Sequence, residues 1–198
     1  MPTTKTLLLA LILCATACSP RDFLTRRLAA DLIEGSNAFR AQQRFELRTG
    51  IISNQDYLSP TYLVLQHHGW ISATKANCPR DLTPQPCWDV TLTPAGVDTF
   101  QSLIAPSDIE KNSFAIPAAR RELVAITGIA RQGNIADVEF TWRWFALNEV
   151  GAALYPGSIH YRSTTILRDY GDGWRLVERA SNQPQPLDEA LKNAEPAP

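Results

Sequence analysis

Apolar and polar positions follow two different periods along this chain. Between Asp22 and Arg40, Phe23, Leu24, Leu28, Leu32, Ile33 and Phe39 recur at steps of three and four, with Arg and Asp between them. That spacing predicts an amphipathic helix. Ser59-Pro60 reads as an N-cap with proline at the first helical position, opening a second helix that carries Tyr62, Leu63 and Leu65 and closes at Gly69. Gly69 to Thr74 and Trp88 to Leu92 then read as strands on either side of a Pro-rich turn, and Thr93-Pro94 starts a further helix toward Leu103.

Ile104 to Ala118, with Pro106, Ser107, Asn112, Ser113 and Pro117, reads as a linker. Beyond it the period changes to two. Arg121 to Ala130 predicts a strand, and Gly133-Asn134 a turn. Ile135 to Ala146 predicts the next strand, with Val138, Phe140, Trp142 and Trp144 on one face and Asp137, Glu139, Thr141 and Arg143 on the other. Asn148 to Tyr155 connects, Ser158 to Asp169 forms a third strand, and Gly171-Asp172-Gly173 leads to a fourth, Trp174 to Glu178. Such alternation marks an antiparallel sheet buried on one side. The tail from Ser181 to Pro198 has four prolines and few large apolar residues, and reads as a mobile extension. The expected architecture is α+β: an N-terminal helix and a small helix–strand unit over residues 18–105, a four-stranded antiparallel sheet over 106–180, and a tail over 181–198.

Composition narrows the class. In 198 residues, 44% are apolar and 20% charged, with nineteen Lys and Arg against twenty Asp and Glu for a net charge of −1. Nothing here resembles a collagen, a coiled coil or a disordered chain, and the balance gives no electrostatic case for nucleic acid. Arginine greatly outnumbers lysine, which favours planar, hydrogen-bonded contacts.

The N-terminus carries the strongest signal. Lys5 precedes the short apolar run Leu7 to Leu13, and Ala15, Thr16, Ala17 and Cys18 follow. The run is too short to span about 30 Å of hydrocarbon, so it reads as an export signal over residues 1–17. It resembles the lipobox of bacterial lipoproteins, with Ala15 where that family prefers Leu. The resemblance implies that Cys18 is acylated (palmitate among the chains) and becomes the first mature residue. It also implies, through Ser19, sorting to the outer membrane facing the periplasm. An ordinary secretory signal is the competing reading.

Cys14 leaves with the signal and Cys18 takes lipid, so Cys78 and Cys87 remain, in CPRDLTPQPC. In an oxidising compartment a disulfide is expected. The alternative, a metal site shared with His67 and His68, lacks the usual close Cys spacing. No metal or cofactor is expected.

LTPAG at Leu92 to Gly96 and LQHHGWI at Leu65 to Ile71 resemble the approach to, and return from, the wing of a winged-helix domain. The long strands ending in Asp172-Gly173-Trp174 are similar to nuclear-transport-factor-like and cystatin-like sheets. These resemblances imply shape alone. His67 and His68, adjacent on a helix, point about 100° apart and do not readily share a ligand; His160 and Glu149 are candidate catalytic groups, yet no familiar catalytic motif surrounds them. The expected function is therefore a non-catalytic envelope lipoprotein, a binding or assembly component held at the membrane by its lipid and meeting an envelope protein. Arg143 and Arg162 would face an acidic partner across the polar sheet face. The alternative is a small-molecule or lipid-binding module using Trp142 and Trp144, and an envelope enzyme stands third.

Overall fold

The structure is a computed structural model that describes residues 23–79, 86–104, 112–178, 183 and 186–197. Cys18 and the expected export signal over residues 1–17 lie outside the described residues. The described elements, in order, are α1 (Arg26–Gly35), α2 (Asn37–Arg40), β1 (Gln43–Arg48), β2 (Gly50–Ser53), α3 (Asn54–Tyr57), α4 (Pro60–His67), β3 (Ile71–Ala76), β4 (Cys87–Leu92) and α5 (Pro94–Gln101). Then follow β5 (Ser113–Gln132), β6 (Ile135–Ala146), α6 (Glu149–Leu154), β7 (His160–Asp169), β8 (Trp174–Leu176), α7 (Pro186–Lys192) and β9 (Glu195–Pro196).

The expected architecture does not hold. Strands take 44% of the described residues and helices 30%. The larger sheet has six strands in the order β1-β5-β6-β7-β8, with β9 also on β7, and a second sheet has three, β2-β4-β3. Neither the four-stranded sheet nor a self-standing winged-helix-like unit describes this arrangement. Three long-range pairings make the difference. The stretch after the first helix, which the pattern leaves unassigned, forms β1 and β2. The presumed linker supplies the start of β5, where Phe114 and Ile116 pair with Leu47 and Phe45. Pro117, which can donate no ladder bond, sits where the β1–β5 register shifts, between the Gln43–Ala119 and Arg44–Pro117 pairs. The tail is not a bare extension either: α7 buries Pro186, Leu187 and Leu191, and β9 pairs with Tyr161 and Arg162.

Chain contacts form two compact units. The first takes the described residues up to Phe39, Leu123–Trp142 and Tyr161–Ala197; the second takes Arg40–Glu122 and Arg143–His160. In the second unit one continuous core joins Phe45, Leu47, Tyr62, Leu65, Trp70, Val90, Phe100, Ile116 and Val150. α4 ends there as its sequence predicts: Gly69 at φ +70° turns the chain, its N–H bonds Gln66 O and that of Trp70 bonds Leu65 O. Two helices of this unit are fastened by the same device. Thr93 caps α5 by accepting from the Gly96 N–H, donates to Gly69 O, and sends its own N–H to Trp70 O. Asn148 caps α6 by accepting from the Gly151 N–H and donates to Pro117 O, while Leu147 N–H bonds Ala118 O. In each case only glycine fits beside the carbonyl: a Cβ on Gly96 would lie 1.9 Å from Trp70 O, and one on Gly151 would lie 1.8 Å from Ala118 O.

In the first unit, β6 keeps its predicted alternation, with Ala136, Val138, Phe140 and Trp142 buried. Phe39 meets Phe140 edge-on at 6.5 Å. β7 buries Ser163, Thr165 and Leu167, which turns Arg162 and Thr164 outward. The single helix expected to Arg40 is broken at Ser36. That residue is extended (ψ 148°), donates its hydroxyl to Ile33 O at 2.7 Å, and accepts the Phe39 N–H at 3.2 Å. A serine able to serve both helix ends makes the break cheap.

Candidate binding groove

Each residue singled out from sequence now has an address. Cys78 and Cys87 form a disulfide, with Cys87 fully buried in β4. His67 and His68 are exposed, and the His68 ring stacks on Trp70 at 4.6 Å. No group of three or more His, Cys, Asp and Glu side chains among the described residues could hold a metal ion. Glu149 opens α6 and His160 opens β7; both are exposed and neither lines either of the two larger recesses.

The two tryptophans have different fates. Trp142 is 2% exposed, stacks on Tyr161 at 4.7 Å, and donates its indole N–H to Ser163 Oγ at 3.0 Å. Ser163 passes its own hydrogen to Ala190 O, so Trp142 belongs to the joint between β6, β7 and α7. Trp144, in the second unit, is only partly buried, with Tyr155 at 5.4 Å and the Arg121 guanidinium 5.0 Å over its ring. Both arginines are engaged within the chain. Arg143 donates to Glu122 at 2.6 Å, and Arg162 pairs with Glu195 at 3.7 Å. Half-exposed pairs of this kind contribute up to about 1 kcal/mol each. Their larger consequence is that each guanidinium already has its carboxylate.

A groove lies elsewhere, within the first unit. Its volume is about 750 Å³, and its first wall is the C-terminal half of α1 (Asp31, Leu32, Gly35) with Ser36, Asn37 and Ala38. Tyr170, Arg175, Leu176, Val177 and Glu178 form the second wall, and Leu187 and Asp188 of α7 close it. The size falls in the range of small-molecule and side-chain sites. Its position follows from local choices. Ser36 ends α1 and so opens one end, and Gly35 has no atom within 4 Å of where a Cβ would stand. Pro186 begins α7, placing Leu187 in the core and Asp188 at the rim.

The electrostatics of the groove are lopsided. Its one base among the described residues, Arg175, is paired with Asp172 and lies 5.7 Å over the Tyr170 ring. Asp31, Glu178 and Asp188 are exposed and make no ion pair or side-chain hydrogen bond with another described residue. Leu32, Leu176 and Val177 are half-buried and Leu187 is buried, so an apolar floor sits inside an acidic rim. A second recess of about 560 Å³ runs along the β7 edge beside α7, where Glu139, Glu189 and Glu195 accompany Arg162.

Sequence reasoning missed the groove because its walls come from three distant segments. One signal was readable: Pro186 followed by Leu187 and Leu191 four apart, with Asp188 and Glu189 in the first turn, spells a short amphipathic helix. Comparison with protein-family models, curated proteins and solved structures finds no match for this chain.

Proposed function

We propose that the chain is a lipid-anchored protein of the bacterial cell envelope, held at the outer membrane facing the periplasm, that works by binding a partner rather than by catalysis. The observation that carries the binding role is the first-unit groove, an apolar floor with Asp31, Glu178 and Asp188 at its rim, none of them ion-paired with another described residue. Its walls take Asp31, Leu32 and Gly35 from one helix, Leu187 and Asp188 from another, and Arg175 and Leu176 from a strand, and such elements hold a recognition surface more firmly than loops do. The envelope address rests on the export run, Ala15 to Cys18, and on the resemblance these residues bear to a lipobox. The Cys78–Cys87 disulfide suits the oxidising compartment to which such a signal leads. No helix among the described residues is long and apolar enough to cross a membrane, so an anchor would have to come from the N-terminal lipid or lie outside them.

The groove changes one part of the expected role. Arg143 and Arg162 each have a carboxylate of the chain beside them, so an acidic partner there would compete with a half-exposed pair worth up to about 1 kcal/mol. Trp142 is likewise unavailable to a small ligand, its ring face and N–H both being occupied.

Two measurements test the reading. Metabolic labelling with a fatty acid should mark the wild-type protein and not Cys18→Ala; label on the variant removes the lipoprotein assignment. A photo-crosslinking amino acid at Asn37, in the groove wall, should yield a discrete adduct in intact cells, whereas the same probe at Asn134, in the β5–β6 turn, should not. Equal capture at both positions, or none at Asn37, sinks the groove as the binding site.

A further inference from the structure

We infer that the groove of the first unit takes a polypeptide segment carrying basic side chains beside apolar ones. This inference rests on the binding role proposed above and names the partner's chemistry. Asp31, Glu178 and Asp188 stand around the groove with no ion pair to another described residue, and Arg175 is paired with Asp172. An incoming Lys or Arg therefore meets a deficit of positive charge at the rim, where complementary charge raises the association rate and rejects acidic competitors. Charge is half of the argument. Leu32, Leu176 and Leu187 line the same groove, and an isolated cation would leave them in water. An aliphatic side chain set next to the basic one removes that apolar surface from solvent at roughly 25 cal/mol per Å². The anionic headgroup of a lipid meets like charges at this rim, and a carboxylate-rich peptide does too.

The rest of the molecule sharpens the contrast. Arg48, Arg143, Arg162 and Arg175 are each paired with a carboxylate of the chain. Asp31, Glu178 and Asp188 differ in lining one groove together.

Gly35 makes the test clean. A side chain there enters the groove, yet its Cβ meets no atom within 4 Å and its backbone is helical, so Gly35→Trp should fill the groove while leaving the thermal midpoint unchanged. The probe is a fluorescein-labelled peptide of alternating leucine and arginine, read by anisotropy on the purified full chain. Its controls are alternating leucine–glutamate and alternating glycine–arginine peptides. The leucine–arginine peptide is expected to bind at least tenfold more tightly than either control, and more weakly as salt rises. Asp31→Lys combined with Asp188→Lys should weaken it at least tenfold, and Gly35→Trp should abolish it. Equal binding of the glutamate peptide, or full binding by the charge-reversed protein, overturns the inference. If Gly35→Trp fails to fold, the charge reversal at two exposed positions decides alone. If the glutamate peptide binds and Gly35→Trp blocks it, the groove remains a binding site and only the partner's chemistry is wrong. If no peptide binds and the Asn37 crosslinker captures nothing, the binding role falls as well. Self-association that Gly35→Trp disrupts, with no peptide bound, assigns the groove to a second copy and overturns the inference.

Discussion

Gly151→Ala is expected to be among the costlier single-methyl changes in this protein. A Cβ at this position stands 1.8 Å from Ala118 O and 2.7 Å from the carbonyl carbon. Carbon and carbonyl oxygen approach to about 3.3 Å even in favourable C–H···O contacts, so backbone must move by about 1.5 Å. Neither side is free to move. Ala118 is fully buried in the core, and its carbonyl accepts the Leu147 N–H at 2.9 Å. One residue on, Asn148 is bound to Pro117 O at 2.7 Å and to the Gly151 N–H at 2.8 Å. Overpacking of this kind costs roughly 1–3 kcal/mol, and a disturbed N-cap adds about 1 kcal/mol. Alanine's better helix propensity returns about 1 kcal/mol. The net expectation is a loss of about 2 kcal/mol. Urea unfolding followed by far-ultraviolet circular dichroism reads this as a midpoint lowered by about 1 M, with a slope of about 2 kcal/mol per molar. Gly35→Ala is the matched control. It lies at the end of α1 with open space around its Cβ, and should leave the midpoint unchanged or raise it slightly. A Gly151→Ala midpoint equal to or above wild type, with Gly35→Ala behaving as stated, would show that the clamp on Ala118 does not constrain the fold.

Three further outcomes are expected. Burial pushes the Tyr62 phenol up from its ordinary value, although the hydrogen bond from the Arg48 N–H pulls the other way. A raised folded-state value favours the neutral form, so its contribution to stability is whole below about pH 10 and is lost as pH rises through the folded-state value; Tyr62→Phe should flatten the alkaline decline of the thermal midpoint between pH 9 and 11.5, and parallel curves for the two proteins would refute this. The same substitution leaves the Arg48 N–H and C=O, now bonded to the phenol at 2.8 and 3.0 Å, without that partner, at a cost of about 1 kcal/mol at pH 7. Opening the Cys78–Cys87 bridge, which spans nine residues of sequence, should cost roughly 2–3 kcal/mol in the chain-entropy view, and an unchanged midpoint in reductant would contradict it.

What the chain's local pattern determines is clear from particular elements. Ser59-Pro60 and Gly69 bracket α4, because a proline at the first turn and a left-handed residue past the last are satisfied by neighbours a few positions away. β6 matches its predicted span from Ile135 to Ala146, since the alternation from Ala136 to Trp144 leaves few other folds for that stretch. The Cys78–Cys87 bridge is the pairing expected of the two cysteines that lie beyond the N-terminal Cys14 and Cys18. Which strands lie side by side is a different kind of question. Gln43–Arg48 becomes an edge strand because residues 113–119 offer it a partner some seventy positions away, and no local propensity encodes that pairing. Arg143 and Arg162 look unpaired in sequence, and only the tertiary fold brings Glu122 and Glu195 beside them from other strands. Asp31 and Asp188 show the reverse. Each is an ordinary polar position on its own helix, and they line one groove only because α1 and α7 are brought together within the first unit. Periodicity reports which face a residue takes, whereas a site needs faces from distant segments, and only burial of the shared core selects which of them meet.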